Sequence, residues 1–331
     1  MRTSVLQLLL LTSLLASADA EEVHQVAVRA HSGVEAGIKQ WGPTIDYLSK
    51  SIPGHRFEIM PYTHIDQQID DARQNKFQFF LTNPSIYIEI NHLAGAHALL
   101  TLINKRQDTA QTRFGSVIFT RANRDDIIRL EDLKNKHLIA VSPLGFGGWQ
   151  VAWREMLHNN FDPYEDLGQL SFADGNQPAV VEAVRNSKAD AGVVRTDMLE
   201  RLAQKGKINL TELRILHNVE TDGFPFFHST RLYPEWPFAV MPGVSNKLAT
   251  QVTQALLNIR ADHPAAQAGK YKGWTEALDY STVDELLKEL AIAHHKNSVK
   301  TTYTPANIFF ILTGIIVVAL ILKMHRKKTS N

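Results

Sequence analysis

No cysteine occurs in the 331 residues. The chain therefore has no disulfide, no thiol nucleophile and no lipid-modified amino-terminal cysteine, and its exported portion must rest on an apolar core. Charge of one sign is also lacking: 35 Lys and Arg face 34 Asp and Glu, net +1, so no basic field argues for nucleic acid. Catalytic signatures are missing as well. There is no Gly-x-Ser-x-Gly elbow, no HExxH helix and no Gly-Lys-Ser/Thr phosphate loop. His228 has no second ligand at a metal-site spacing, so the sequence reads as a non-enzyme with no metal and no cofactor.

Both termini carry long apolar runs. Met1-Arg2, the run from Val5 to Leu15 and then Ala18-Asp19-Ala20 have the form of a secretory signal peptide, residues 1–20. At the other end an uncharged stretch predicts a transmembrane helix over 306–323, preceded by a linker at 297–305. Lys323, Arg326, Lys327 and Lys328 follow, which predicts a cytoplasmic basic tail at 324–331. The expected layout is a periplasmic domain at 21–296 held by one anchor in a bacterial inner membrane.

Between the ends the pattern is α/β. Val23 to Ala30 alternates as a strand, a helix carries Trp41, Ile45 and Leu48 at helical spacing, and strands follow at Phe57-Glu58-Ile59-Met60 and Phe77 to Leu81. The rhythm repeats after Phe114 to Arg121, which reads as one strand. In open α/β sheets ligands sit beyond the carboxyl ends of strands. The glycine-rich turn Gly145-Phe146-Gly147-Gly148 lies at such an end, between the run His137 to Val141 and a helix beginning at Trp149. Positive φ at its glycines and unpartnered first-turn amides would suit an anion; an unliganded turn is the competing reading. Two such lobes imply a cleft that closes on a solute.

The succession Arg29, Trp41, Leu81-Thr82-Asn83-Pro84, Ser116 to Arg121, Leu130 to Lys136, Gly147-Gly148-Trp149 and Ala189-Asp190-Ala191-Gly192 resembles the phosphonate-type periplasmic solute-binding proteins. With the block His228 to Phe238, it is most similar to the branch that serves as the sensory domain of tetrathionate-sensor histidine kinases. The resemblance covers about residues 23–293. It implies a type-2 periplasmic-binding-protein fold with lobe I at about 23–119 and 226–293, lobe II at about 122–222, and hinge crossings near 119–123 and 222–229. Function then follows as an expectation: capture of a small anion such as phosphonate, phosphite or a sulfur oxyanion, for an ABC permease and ATPase. The alternative is the sensing subunit of a split two-component system whose kinase is a separate chain.

The candidate ligand residues fall at predicted strand ends. Arg29 and Arg195 offer forked donors for an oxyanion, against the alternative of structural salt bridges. The resemblance carries Thr82, Asn83 and Tyr87 to the cleft wall, against an Asx-type turn that serves only the backbone. Phe146, Gly147 and Gly148 belong to the glycine turn, and Asn176, Thr196, His228, Ser229 and Thr230 complete the polar set. Trp41 and Trp149 could close on the ligand, but both lie on apolar stripes for which core packing competes.

Overall fold

A computed structural model describes residues 21–302. The expected signal peptide, transmembrane run and basic tail lie outside these residues. Among the described residues no helix is long and apolar enough to cross a membrane.

The chain first builds β1 (Glu22–Arg29), α1 (Val34–Ser51), β2 (His55–Tyr62), α2 (Ile65–Arg73), β3 (Phe79–Leu81), α3 (Pro84–Ala94), β4 (His97–Arg106) and β5 (Thr109–Gln111). A two-residue strand, β6 (Arg113–Phe114), leads to the second lobe: β7 (Ser116–Arg121), β8 (His137–Ala140), α4 (Val151–His158), α5 (Pro163–Asp166), β9 (Gln169–Phe172), α6 (Gln177–Arg185), β10 (Ala191–Arg195), α7 (Met198–Gln204) and β11 (Leu213–Leu216). The return passes β12 (Tyr233–Pro234) and finishes the first lobe with β13 (Pro237–Val240), α8 (Asn246–Leu257), α9 (Pro264–Gly269), β14 (Tyr271–Glu276) and α10 (Ser281–Thr302).

The first sheet has the order β14-β4-β13-β3-β1-β2, with β5 on β4; the second runs β11-β7-β10-β8-β9. β1 is parallel to β2 and β3, whereas the returning β13 inserts antiparallel between β3 and β4. The first lobe is therefore closed only after the chain has made the second. Both sheets are mixed, not mostly parallel, because strands beside each crossing run against their neighbours.

The crossings lie elsewhere than the sequence suggests. Ser116–Arg121 pairs with β10 and β11, so it belongs to the second sheet and the first crossing precedes it. Gly115 breaks the expected single strand: a Cβ there would stand 2.6 Å from Thr230 Oγ1 on the returning chain. His228 still bridges to Val219, and Ser229 Oγ donates to Leu216 O at 2.7 Å, so the return begins only after them. The two crossing segments pair with each other, Phe114 opposite Tyr233 and Arg113 opposite Pro234. This two-stranded ribbon links the two lobes.

One continuous core joins the lobes. It runs from Ala27, Tyr62 and Ile86 through Leu138 and Met156 to Val283, Leu286 and Leu290 of α10. α10 thus packs on α3 of the first lobe and α4 of the second. Arg154 of α4 reinforces the contact: Nε and Nη2 donate to both carboxylate oxygens of Glu289 at 2.7 Å, and Nη1 donates to the Tyr233 hydroxyl at 2.9 Å.

Candidate ligand-binding cleft

Aromatic rings pack on the crossing ribbon. Phe114 and Tyr233 each meet the Phe146 ring edge-on, at 5.8 and 5.3 Å between centroids. Phe146–Gln150 forms a π-helical turn that runs into α4. The expectation of positive φ in the glycine turn is not met: none of Gly145, Gly147 and Gly148 adopts it. Their small size serves packing instead. A Cβ on Gly147 would come within 2.6 Å of the Phe114 ring and 3.3 Å of Arg195 Cγ, and one on Gly148 within 2.6 Å of Val141.

Beside the ribbon four arginines converge from both lobes. Arg29 ends β1, Arg106 ends β4, Arg195 ends β10 and Arg201 lies on α7. His31, just after β1, is reached by solvent on one side yet closely surrounded by protein on the other, and it registers all four. Burial first, then the charges of Arg29, Arg106, Arg195 and Arg201, hold its imidazole below the usual histidine value. Burial, with Arg195 adding repulsion, takes Arg106 down to about 10 in spite of Asp197 and Glu235. Trp236, after β12, meets His31 edge-on at 6.3 Å.

Three of the arginines have carboxylate partners. Arg195 Nη2 is paired with Glu235, which is wholly buried and also accepts from Asn104 Nδ2 at 3.0 Å. Arg106 and Arg201 approach Asp197 Oδ2 at 3.7 and 3.9 Å. Asp197 is held at φ 72°, a left-handed conformation that costs an aspartate of order 1 kcal/mol or more. Arg195 also stacks over Phe114, 4.1 Å from the ring centroid. Arg29 differs: Nη1 donates to Tyr62 O at 2.7 Å, and it has no carboxylate partner among the described residues. Buried polar atoms without a hydrogen-bond partner gather in the same place, including Arg106 Nε, Arg195 Nε, Glu235 Oε2 and both Asp197 oxygens. Such groups favour a polar guest or ordered water.

Of the residues expected from sequence, Arg29 and Arg195 stand in this cluster. Trp41 is a correction: it is buried and stacks on Tyr271 within the core of the first lobe, with ring planes 13° apart. Trp149 is a second one, fully buried and stacked on Trp153. In both, the apolar stripe decides the position. Tyr87 accepts from Ala98 N at 3.2 Å and, with Tyr280 and Asp284, lines a surface depression of about 390 Å³ on the α3–α10 face that has no arginine in its lining.

The remaining polar candidates are engaged by backbone or neighbours. Thr82 is fully buried and donates to Gln68 Oε1 at 3.3 Å. Asn83 caps α3 and Asn176 caps α6, each accepting at 3.1 Å from an amide three residues on. Thr196 accepts from Gly115 N at 3.3 Å. Ser229 and Thr230 accept from the amides of Ile118 and Ser116 at 2.9 and 3.1 Å. His228 is buried between Thr221 Oγ1 at 2.9 Å and Phe226 O at 3.1 Å. These hydroxyls and rings tie the returning chain to β7 and the loop beside it.

Sequence reasoning missed Arg106, Arg201, Asp197 and Glu235 as site residues. Arg106 and Arg201 sit in no motif, and only the packing of the two lobes brings the end of β4 and α7 to the same Asp197 carboxylate. Glu235 stands inside the His228 to Phe238 block, and a carboxylate in an apolar, aromatic run is a signal from which a buried ion pair could have been read.

The comparisons with known proteins agree with this architecture. The family described as the periplasmic substrate-binding protein of the phosphonate ABC transporter matches residues 29–281. The tetrathionate sensor histidine kinase TtrS of Salmonella typhimurium is 31% identical over 266 residues, 80% of this chain and 43% of the kinase. The chain thus spans less than half the length of that relative. Among solved structures, a Xanthomonas citri protein bound to ATP matches with a TM-score of 0.64 at 18% identity, over 81% of this chain and 95% of the other. PhnD1 from Prochlorococcus marinus in complex with methylphosphonate gives 0.62 at 13%, over 82% and 99%.

Proposed function

The chain belongs to the phosphonate-type periplasmic substrate-binding proteins of ABC transporters, and on that premise we propose that it captures a small oxyanion between its lobes. The observation that carries the reading is the convergence of Arg29, Arg106, Arg195 and Arg201 on His31 from the two lobes. Arg29, which has no carboxylate partner among the described residues, is the primary anion contact. Arg195 and Arg106 are held in place by Glu235 and Asp197 and present their remaining N–H donors to the guest. Carboxylates beside arginines lower the net positive charge, so the site favours a compact anion able to take several donors at once. Closure about the β6–β12 ribbon brings the two arginine sets onto one ligand.

In this reading the protein is anchored at the outer face of the inner membrane and hands its ligand to a permease with an ATPase. The residues that carry the anion are Arg29, His31, Arg106 and Arg195. A thermal-shift screen of the purified chain against methylphosphonate, phosphite, phosphate, tetrathionate and thiosulfate tests the class, because a ligand of the native state raises the midpoint by mass action. Arg29→Ala should weaken the responding anion by roughly ten- to 150-fold, the equivalent of a charged hydrogen bond worth about 1.5–3 kcal/mol. Unchanged affinity would remove Arg29 from the site.

A second reading, ligand sensing for a separate kinase, is favoured by one feature of the fold. α10 leads to the carboxyl terminus while bonded to α4 of the second lobe through Glu289 and Arg154. A relative lobe motion therefore bears directly on the segment that leaves the domain. The 31% identity to a tetrathionate sensor kinase supports the same reading.

A further inference from the structure

A second cluster of chemically competent side chains lies at the opposite end of β1. Glu22 and His24 are two residues apart on β1 and so share one face of the sheet. Their parallel neighbour β2 places His55 directly opposite Glu22. His24 Nε2 and His55 Nδ1 are 2.9 Å apart, and Glu22 Oε2 stands 3.9 and 3.6 Å from them. Among the described residues this is the group of three metal-ligating side chains whose donor atoms all lie within 4.8 Å of one another.

We propose that Glu22, His24 and His55 form a binding site for a divalent transition-metal cation. Zinc bonded to nitrogen at about 2.0–2.1 Å in tetrahedral geometry sets its donors about 3.3 Å apart, in the middle of the 2.9, 3.6 and 3.9 Å spacings here. Two imidazoles and one carboxylate suit zinc, nickel or copper; calcium and magnesium require all-oxygen shells. The support is rigid. His24 is buried against Phe57 and Phe79, and both strands belong to the first sheet. Glu22 is exposed, which leaves an entry path and at least one coordination position for water or an outside ligand. Because β2 is the edge strand, the ion would pin that edge to β1. The site is separate from the arginine cleft: the seven residue steps from Glu22 to Arg29 span about 23 Å of strand. No sequence motif announces it, since its ligands come from two strands 31 residues apart.

Isothermal titration of the chelator-stripped full chain with zinc chloride tests the proposal. One equivalent should bind, and His55→Gln should weaken it by at least the roughly tenfold that loss of even an outer-shell partner costs, with Glu22→Gln acting in the same direction. His24→Gln alters a buried position and carries a risk of misfolding. The unmodified chain therefore supplies a second readout: paramagnetic cobalt(II) should shift the ring resonances of two histidines, and zinc should displace it. Zinc affinity unchanged in His55→Gln, or the absence of binding by zinc, nickel and copper in excess, would overturn the site.

Discussion

His31 makes the cleft sensitive to pH. Its pKa lies below the ordinary histidine value because of burial and the surrounding arginines. An anion placed among those arginines offsets their charge and raises the His31 pKa, so binding takes up a proton. Anion affinity should therefore increase as pH falls from 7 through the free-protein pKa of His31, and His31→Asn should flatten that dependence. Titrations at several pH values in both proteins check this; an equal slope in the two would assign the proton to another group. At this scale the sequence was readable where chemistry and strand ends coincide, as at Arg29 and Arg195. It was not readable at Arg106 and Arg201, which meet at Asp197 only through the packing of the two lobes, nor at Ser229 and Thr230, whose hydroxyls are taken by the amides of Ile118 and Ser116.

Among the elements, α10 carries the coupling between lobes. The Arg154 guanidinium holds the Glu289 carboxyl down to about 2, with His158 assisting. The sign follows from that depression. The contribution to stability is present above the unfolded carboxylate value of 4.5 and is lost as pH falls through about 2. Glu289→Gln should therefore lower the thermal midpoint at neutral pH, with the gap to wild type closing progressively below about pH 4.5. Parallel melting curves across pH measure it, and a gap that persists at the acid end would mean the pair acts only through packing. Element types were largely legible, because apolar periodicity marked α1 and the β1 and β8 strands. The crossings were not. Phe114 to Arg121 has the uninterrupted pattern of one strand, and only the returning Thr230 explains why Gly115 must divide it.

For the whole molecule, the proposed capture requires rotation about Phe114 and Tyr233 while α10 keeps contact with both sides. The α/β class follows from the repeated rhythm and the periplasmic-binding fold from the resemblance, and the family match over 29–281 supports that fold. In the proposed mode of capture an anion draws the lobes together through Arg29 and the second-lobe arginines. Since the chain has no cysteine, Glu35→Cys on α1 and Asp174→Cys in the loop after β9 give a clean pair of spin-label sites, one on each lobe. The dipolar distance between them should shorten when the oxyanion with the largest thermal shift is added, and the same anion concentration should leave it unshortened in an Arg29→Ala background. A ligand that raises the thermal midpoint without changing the distance would contradict capture by closure.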